Sequence, residues 1–342
     1  MYWIRQRTLP LCVLLLLAAC GGSGNSVDTD STPAPIPPQV GGSYAGTDLS
    51  APYPVRTTTG IVYATGQVNQ AAPTEASLLL DLYEPDVDLA GAAVPTVVII
   101  HGGGFIGGSR QGEPLQQFGA DLAARGFVAA SIDYRLVPDD PVLNSNSQAL
   151  LDALGVDPTQ LDVVRALFAA LEDTEKAIQW LDSALGDLGA TSQGVGLLGS
   201  SAGAVTALDY AYSLDGFNFP TLDVDAVAAL WGTLVLGQDD PDVIQTSDAP
   251  VFMIHGTEDS TVDYQTGSLL VANRASAAGL PHELITIVGA GHGFGAIDVF
   301  SSETFPGSGQ TQAERTYQFL AVALLAADCL QQELLIDNCS LP

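Results

Sequence analysis

Gly199-Ser200-Ser201-Ala202-Gly203 is the segment of this chain that most strongly restricts its fold. It follows the apolar run Val195–Leu198 and precedes the helix-compatible run Ala202–Leu214. A strand that turns sharply into a helix holds the residue at the turn in a strained conformation, and flanking glycines remove the side chains that would block the turn. The pattern therefore predicts a strand, a tight turn and a helix, with Oγ of Ser201 exposed at the turn.

A second glycine-rich segment, His101-Gly102-Gly103-Gly104, follows the apolar run Val97–Ile100, which is typical of a buried strand. Consecutive glycines let backbone N–H groups approach a ligand with no Cβ in the way. Such N–H groups hydrogen-bond an oxygen that becomes negative when a carbonyl group is attacked. The chain has 36 glycines, so either segment alone is compatible with an ordinary tight turn. Both follow strand-like runs, and this joint placement favours a nucleophile with its anion-binding loop.

A serine hydroxyl becomes a good nucleophile only when a base takes its proton. The chain has four histidines, His101, His255, His282 and His292. His292 lies in the glycine-rich segment Gly289–Phe294, beyond the strand-like run Leu284–Val288, where a side chain is free to reach a site. His255 lies too close to the end of a strand-like run to reach it, and His282 precedes a strand at the surface. We therefore predict that His292 is the base and that His255 has a packing role.

The base in turn needs an acid that fixes its tautomer. Asp259 follows the apolar run Val251–Ile254 by a short loop and lies between the serine and the histidine in the chain. We predict that Asp259 is this acid. Glu258 and Asp263 lie in the same loop and remain alternatives, because a solvated loop carboxylate would have the same sequence signature.

Together these segments resemble the motifs of α/β-hydrolases, in particular of bacterial carboxylesterases of the feruloyl-esterase-like and hormone-sensitive-lipase-like groups. Serine, acid and histidine also follow the chain order of that superfamily. The segments that carry the resemblance are Leu80–Pro85, His101–Gly104, Asp133–Leu136, Gly199–Gly203, His255–Val262 and Gly291–Phe294. The resemblance extends from about Arg56 to Leu325. The acid lies in a His-Gly-x-x-Asp segment rather than the Asp-Pro-Leu type usual in the hormone-sensitive-lipase-like group, so the feruloyl-esterase-like group is the closer one.

The resemblance implies a serine carboxylic-ester hydrolase that needs no cofactor and no metal. Ser201 would attack the ester carbonyl, His292 would take the serine proton, and Asp259 would orient His292. The oxyanion would be held by backbone N–H groups of Gly103, Gly104 and Ala202. The substrate would be a small-molecule or polysaccharide-linked ester, with acetyl, feruloyl, lipid and synthetic esters all open. A serine peptidase of the prolyl-oligopeptidase type and a catalytically inactive binding protein on the same scaffold remain alternatives.

Strand-like and helix-like runs alternate along the chain, which predicts an α/β fold with a mostly parallel eight-stranded sheet and helices on both faces. The predicted strands are Ile61–Ala64, Leu78–Tyr83, Thr96–Ile100, Val128–Asp133, Val195–Leu198, Ala226–Leu230, Val251–Ile254 and Glu283–Val288. The predicted helices are Pro114–Arg125, Leu161–Leu185, Ala202–Leu214, Tyr264–Ala278 and Gln310–Ala327. Ser201, Asp259 and His292 each follow a strand, so we expect them at one edge of the sheet, where open parallel sheets bind ligands.

Two small insertions, Val137–Pro158 and Gly232–Ala249, follow strands and are expected near that edge. Neither is long enough to form a large lid. Because a long acyl chain needs an extended apolar groove, the small insertions favour short-chain acyl esters. Trp231, at the end of a strand, is compatible with the wall of an acyl pocket and equally with a core position.

Residues 1–19 are typical of an export signal, because two arginines precede the apolar run Leu11–Ala19, which is too short to span a membrane. The small residues before Cys20 resemble the lipobox of bacterial lipoproteins, which implies cleavage before Cys20 and attachment of lipid to it. The protein would then be exported and anchored to the cell envelope. Gly21, rather than aspartate, implies the outer membrane if the host is Gram-negative. An ordinary secretory signal cut near Ala19 is the alternative.

Residues 20–50 are rich in Gly, Ser, Thr, Asp and Pro, a composition that predicts a disordered tether. Residues 51–342 remain as one catalytic domain. Cys329 and Cys339 lie close together near the C-terminus, and a disulfide between them is predicted for an exported protein.

The chain is strongly acidic, with a formal net charge of −29 and a single lysine, Lys176. Such a surface repels nucleic acid and other polyanions, which excludes a nucleic-acid partner. High acidity with little lysine also resembles salt-adapted proteins. The acidic segment Asp239–Asp242 is interpreted as a solvated loop. The sequence carries no prediction of the oligomeric state.

Overall fold

The computed structural model describes residues 42–112, 114–214, 217, 219, 221–294, 299–301, 309–326 and 330. Its strands are β1 (Val55–Val68), β2 (Thr74–Pro85), β3 (Ala93–Ile100), β4 (Val128–Ile132), β5 (Thr191–Ser200), β6 (Ala226–Leu230), β7 (Val251–Gly256) and β8 (His282–Ile287). Its helices are α1 (Leu115–Ala124), α2 (Ser145–Leu154), α3 (Leu161–Asp187), α4 (Ala202–Tyr212), α5 (Ser268–Ala278) and α6 (Gln312–Leu325).

The eight strands form one sheet in the order β1-β2-β4-β3-β5-β6-β7-β8. Strand β2 is antiparallel to both of its neighbours, and all the other neighbouring pairs are parallel. The prediction of a mostly parallel eight-stranded sheet is confirmed. Because β5, β7 and β8 run in the same direction, the segments that follow them emerge at the same edge of the sheet.

Helices cover both faces of the sheet, as predicted. Val98 and Ile100 of β3 belong to an apolar core on the face that carries α3, α4 and α5. Val97 and Ile99 belong to a second core on the opposite face, with α1 and α6. The central strands are thus buried on both sides, and for this reason they appear in the sequence as continuous apolar runs rather than alternating ones.

The first insertion contains a helix that the sequence analysis missed, α2. The side chain of Asn144 caps its N-terminus by accepting hydrogen bonds from the N–H groups of Asn146 and Ser147. Gly155 ends it with a φ of 60°. An N-terminal Asn and a C-terminal Gly are ordinary helix boundary signals, so this helix was detectable. The second insertion, residues 232–249, consists of turns and loops.

A buried arginine attaches the first insertion to the body of the domain. The Arg135 side chain is 2 % exposed. It donates hydrogen bonds to Asp173 and Glu172 of α3 at 2.9 and 2.8 Å, and to the carbonyl oxygen of Val142 in the insertion at 2.9 Å. A buried guanidinium is tolerated because carboxylates and carbonyls satisfy its donors.

The folded part of the chain begins earlier than the predicted boundary at residue 50. Tyr44 N donates to Asp88 O at 3.1 Å, and the Tyr44 hydroxyl donates to Gly126 O at 2.8 Å. Asp48 N donates to Arg125 O at 3.0 Å. Residues 42–50 therefore pack on the domain rather than belonging to a tether.

Three cysteines of the sequence analysis, Cys20, Cys329 and Cys339, lie outside the described residues, as does the predicted export signal at residues 1–19. Within the part of the chain that the structure describes, no helix combines the length and the apolarity needed to cross a membrane.

Candidate active site

Ser201 lies at the turn between β5 and α4 in a strained backbone conformation. Its φ is 52° and its ψ is −118°, which an L-residue adopts only when its surroundings impose it. Two backbone hydrogen bonds hold the turn, from Ser201 N to Leu230 O of β6 and from Val205 N of α4 to Ser201 O, both at 2.9 Å. The neighbouring strand and the following helix thus fix the position of the serine.

The glycines on either side of the turn permit close backbone packing. A Cβ on Gly199 would lie 2.2 Å from the carbonyl oxygen of Gly203. A Cβ on Gly203 would lie 2.0 Å from the carbonyl oxygen of Ile100, at the end of β3. Any side chain at these two positions would push the helix away from the sheet and move Ser201.

The structure brings Ser201, His292 and Asp259 into one chain of hydrogen bonds. Oγ of Ser201 lies 2.8 Å from Nε2 of His292, and Nδ1 of His292 lies 2.7 Å from Oδ2 of Asp259. The Asp259 side chain is fully buried, whereas that of His292 is 18 % exposed. The serine follows β5, the aspartate follows β7 and the histidine follows β8, so the parallel sheet brings them together from distant parts of the chain.

The partners of His292 determine its tautomer. An ionised carboxylate only accepts hydrogen bonds, so Nδ1 of His292 donates to Asp259. In the neutral ring Nε2 is then the acceptor, and the Ser201 hydroxyl donates to it. A general base needs this arrangement, with an unprotonated nitrogen within hydrogen-bonding distance of the nucleophile.

Four donors surround the Asp259 carboxylate. Oδ1 accepts from the backbone N–H groups of Thr261 and Val262 at 2.8 and 2.9 Å. Oδ2 accepts from His292 and lies 3.1 Å from Nε2 of His255. Burial raises the pKa of the Asp259 carboxyl, but the hydrogen bonds from His255, His292 and Val262 outweigh this effect. The pKa therefore lies below its ordinary value, and the carboxylate is ionised at neutral pH.

The two alternative acids lie elsewhere in the loop. Glu258 and Asp263 are both exposed. Oδ1 of Asp263 accepts from the backbone N–H and the hydroxyl of Thr266 at 2.9 and 3.0 Å, which is a local turn contact. Of the three carboxylates considered, Asp259 is the one that contacts His292.

The glycine loop after β3 lies against Ser201, the candidate nucleophile. A Cβ on Gly102 would be 2.9 Å from Ser200 O and 3.1 Å from Ser201 Cβ. Gly103 and Gly104 have φ values of 119° and 62°, which a side chain would strain. Among the described residues, no backbone carbonyl accepts a hydrogen bond from the N–H of Gly103, Gly104 or Ala202. The first N–H groups of a helix have no partner within it, and Ala202 begins α4.

A buried histidine and a tyrosine support the glycine loop. His101 is 2 % exposed, and its ring stacks on that of Tyr134 with the centroids 4.2 Å apart. The Tyr134 hydroxyl donates to His101 O at 2.8 Å. Burial lowers the pKa of His101, so the ring is neutral at neutral pH. His101 therefore contributes to the shape of the loop.

Both insertions reach this edge of the sheet, as expected. Val137 N, at the start of the first insertion, donates to Phe105 O next to the glycine loop at 2.8 Å. The second insertion begins directly after Trp231, which has a φ of 45° and is 6 % exposed. The Trp231 ring meets that of His292 nearly perpendicularly, with the centroids 6.4 Å apart. Trp231 thus belongs to the core and also borders the candidate base.

Solved structures with the same overall architecture include Thermogutta terrifontis esterase 2 phosphorylated by paraoxon, which is 23 % identical with a TM-score of 0.53 and is matched over 78 % of this chain and 93 % of that one. A truncated carbohydrate esterase from gut microbiota is 17 % identical with a TM-score of 0.52, over 82 % and 99 % of the two chains. The chain has the α/β-hydrolase fold. The fold class predicted from the sequence is thereby confirmed.

The family model BD-FAE, which describes a hormone-sensitive-lipase-like esterase family, matches residues 80–145 of this chain. The match includes the glycine loop and the segment Asp133–Leu136. The resemblance to α/β-hydrolase esterases that the motifs indicate is therefore confirmed.

Among curated proteins, the non-reducing polyketide synthase ausA of Emericella nidulans is 41 % identical over 78 residues, 22 % of this chain. The corresponding synthase atr1 of Stereocaulon alpinum is 35 % identical over 82 residues, 23 % of this chain. The chain spans about 3 % of the length of these two relatives.

Proposed function

We propose that this α/β-hydrolase is a carboxylesterase that hydrolyses short-chain acyl esters through a covalent intermediate on Ser201. The observation that carries the proposal is the continuous contact from Oγ of Ser201 through His292 to Asp259, with distances of 2.8 and 2.7 Å. A nucleophile, a base and a group that orients the base require this mutual arrangement.

In the first half of the proposed reaction, Oγ of Ser201 attacks the ester carbonyl carbon while its proton passes to Nε2 of His292. The carbonyl oxygen becomes negative and is held by the backbone N–H groups of the oxyanion hole, Gly103, Gly104 and Ala202. Ala202 is the first residue of α4, and the dipole of this helix favours negative charge at its N-terminus. When the carbonyl re-forms, the alcohol leaves with the proton from Nε2, and the acyl group remains on Ser201.

In the second half, a water molecule gives one proton to Nε2 of His292 and attacks the acyl carbon. The same N–H groups hold the second oxyanion. Its collapse breaks the bond to Ser201, Oγ recovers the proton from His292, and the carboxylic acid is released. Asp259 stays ionised throughout, since its hydrogen bonds keep the pKa of its carboxyl low. It stabilises the imidazolium that forms twice in each cycle.

The proposed substrate class is based on the size of the two insertions and on the solved structures with the same fold. The first insertion holds one 3-10 turn and the short helix α2, and the second consists of turns and loops, so neither forms a large lid. The Thermogutta terrifontis esterase is recorded with butyrate and with propionate bound, and the other neighbour is a carbohydrate esterase. These similarities favour a small-molecule or polysaccharide-linked ester with a short acyl group.

We further propose that the enzyme acts outside the cytoplasm and is attached to the membrane by lipid on Cys20. The support is the sequence pattern of residues 1–20 and the polar segment that separates Cys20 from the first residues packed on the domain. In this proposal the segment lets the catalytic domain reach substrates away from the membrane.

Hydrolysis assays with a matched pair of serine variants test the proposed function. The full-length protein is assayed on p-nitrophenyl acetate and butyrate, acetylated xylan, methyl ferulate and an aminopeptidase substrate. Ester turnover is expected to fall on the order of 10⁴-fold or more in Ser201→Ala, with an unchanged circular dichroism spectrum. Ser200→Ala, one residue before the nucleophile, is expected to keep most of the activity.

Labelling by a fluorophosphonate gives the complementary measurement. Peptide mass spectrometry is expected to place the phosphonyl group on Ser201. Labelling of Ser200, or ester turnover that survives in Ser201→Ala, would contradict the proposed nucleophile. A wild-type protein that takes no label and cleaves no ester would favour an inactive binding protein, and cleavage of the peptide substrate alone would favour the peptidase.

A further inference from the structure

His255, at the end of β7, is fully buried and is not used by the proposed reaction. Its Nδ1 lies 2.7 Å from Oγ of Ser268, the first residue of α5. Its Nε2 lies 3.1 Å from Oδ2 of Asp259 and 3.0 Å from the carbonyl oxygen of Val262. The imidazole thus connects β7, the loop that carries the candidate acid, and the start of α5.

The neighbours of Nε2 fix where this ring carries hydrogen. A carboxylate oxygen and a backbone carbonyl oxygen only accept hydrogen bonds, so Nε2 of His255 must be protonated. In the neutral ring Nδ1 is then the acceptor, and the Ser268 hydroxyl donates to it at 2.7 Å in preference to the carbonyl oxygen of Gly232 at 3.4 Å. His255 therefore donates to the same Oδ2 that accepts from Nδ1 of His292.

We infer that His255 is a positioning residue that holds the Asp259 carboxylate in the orientation in which Oδ2 accepts from Nδ1 of His292. The inference rests on the proposed esterase function of the Ser201 site. The N–H of His255 fixes Oδ2 from a second side. Without His255, the carboxylate is held less firmly, and Nε2 of His292 is then aligned less well with Oγ of Ser201.

The surroundings of the two histidines show which contacts the substitutions change. Among the residues that the structure describes, His292 contacts the carboxylate of Asp259, the hydroxyl of Ser201 and the ring of Trp231. In the same part of the chain, the titratable groups in contact with His255 are Asp259 and Tyr264, whose ring is 5.7 Å away and nearly perpendicular.

The backbone donors keep the carboxylate near its place when His255 is lost. Thr261 and Val262 donate to Oδ1, on the side of Asp259 away from both imidazoles. A substitution of His255 is therefore expected to disturb the alignment of the Asp259 carboxylate and to remove one donor from its Oδ2. The rest of the site is expected to keep its structure.

A pair of substitutions separates the positioning role from a packing role. His255→Leu removes the donor and keeps an apolar side chain of similar bulk, whereas His255→Gln keeps an N–H donor of similar reach. His282→Leu, on the neighbouring strand, is the matched control, because its Nδ1 contacts Leu280 O and not Asp259. All variants are assayed on p-nitrophenyl acetate from pH 5 to 9, with active sites counted by phosphonate titration.

We expect kcat per titrated site to fall roughly 10- to 100-fold in His255→Leu, with KM nearly unchanged, because alignment is lost and substrate binding is not. His255→Gln should recover much of this loss, and the control should behave like the wild type. A wild-type kcat in folded His255→Leu, or a Gln variant as impaired as the Leu variant, would overturn the inference.

Nitrogen-15 NMR of the histidine rings tests the inference without turnover and without a variant at His255. In wild-type protein near pH 7, Nε2 of His255 is expected to carry a slowly exchanging proton whose shift changes in Asp259→Asn. An unprotonated Nε2 in His255 would refute the inference even if His255→Leu fails to fold. A protein with these NMR properties but no ester turnover would refute the proposed function instead.

Discussion

Nδ1 of His292 lies 2.7 Å from Oδ2 of Asp259, and this contact leaves Nε2 of His292 as the nitrogen that faces Ser201. The ring would be useless as a base in the opposite tautomer, because Nε2 would then carry a proton. The same contact stabilises the imidazolium once it has formed. Orientation, tautomer and charge stabilisation thus all depend on one pair of atoms.

The first prediction concerns the base. His292→Ala should abolish ester hydrolysis, and wild-type activity should fall on acidification, because only the neutral ring accepts the serine proton. kcat/KM measured from pH 5 to 9 checks both expectations. His282→Ala is the control, since His282 lies on β8 and contacts Leu280 O. An active His292→Ala variant together with an inactive His282→Ala variant would show that the wrong histidine was chosen.

The second prediction distinguishes the three carboxylates of the acid loop. Asp259→Asn should lower kcat by roughly 10²- to 10⁴-fold, because the amide neither balances the imidazolium charge nor enforces the tautomer. Glu258→Gln and Asp263→Asn should each stay within about threefold of the wild type, because both side chains are exposed and contact neither histidine. A large loss of kcat in either of these two, with Asp259→Asn near normal, would transfer the role to that residue.

The sequence could predict the candidate triad because each member has a local signature. Ser201 is enclosed by glycines, His292 lies on a glycine-rich loop after β8, and Asp259 follows β7 by three residues. Such turns after buried strands are encoded by neighbours in the chain. The three residues then meet at one edge of the sheet because the strands that precede them are parallel.

The role of His255 could not be predicted in the same way. Its contact with Asp259 depends on how the turn between them closes, and its contact with Ser268 depends on where α5 packs. The sequence shows only a histidine at the end of an apolar run, for which a packing role was the simplest interpretation. The start of α5 at Ser268, rather than at the predicted Tyr264, has a similar origin, because a turn with a hydrogen bond from Gly267 N to Asp263 O precedes the helix.

The early start of the domain also depends on distant partners. Tyr44 contacts Asp88 and Gly126, which are 44 and 82 residues further along the chain. Its own neighbours in sequence are Gly, Ser, Ala and Thr, whose composition is that of a linker. Composition alone therefore placed the boundary too late by several residues.

The third prediction concerns the pH dependence of stability at Asp209. This carboxylate of α4 is fully buried and anchors the second insertion by accepting from the N–H groups of Val235 and Leu236 at 3.1 and 3.0 Å. Burial raises the pKa of Asp209 to about 7, and hydrogen bonds, including one from Ser213, offset part of the rise. The native state thus takes up a proton between pH 7 and 4, where the unfolded chain has an ionised aspartate.

The contribution of protonated Asp209 to the free energy of unfolding is therefore fully present at low pH and is lost as the pH rises through about 7. Between pH 8 and pH 5.5 it amounts to about 2 kcal/mol. Urea unfolding at the two pH values checks it, with Asp209→Asn as the matched variant that cannot titrate. From pH 8 to pH 5.5, the free energy of unfolding of the wild type should rise by this amount relative to that of Asp209→Asn. A difference that does not depend on pH would contradict the prediction.

The fourth prediction concerns the anchor. Cys20→Ala should move the protein from the membrane fraction to the soluble fraction or leave an uncleaved precursor, because lipid at Cys20 supplies apolar anchoring that an acidic domain lacks. Fractionation of the expressing cells measures this. Cys12→Ala, inside the apolar run of the signal, is the control and should leave the fractionation unchanged. Mass spectrometry that finds an unmodified mature N-terminus would refute the anchor.

The last prediction concerns the acyl chain. We expect kcat/KM on p-nitrophenyl esters to be highest for acyl groups of roughly two to six carbons and to decline beyond them. Each methylene contributes only about 0.8 kcal/mol, and only if it is buried against an apolar wall. In the part of the chain that the structure describes, the two insertions are small, and the ring of Trp231 borders His292. The net charge of −29 also disfavours docking on anionic lipid.

The measurement is a series from acetate to palmitate under conditions that keep all the esters monomeric. Trp231→Ala is the informative variant, because it removes the ring that borders His292 and keeps all three residues of the candidate triad. If Trp231 limits the acyl pocket, this variant should shift the preference towards longer chains. A kcat/KM that rises steadily from butyrate to laurate and palmitate in the wild type would contradict the expectation. The two insertions would then have to form an extended groove, and the enzyme would be better described as a lipase.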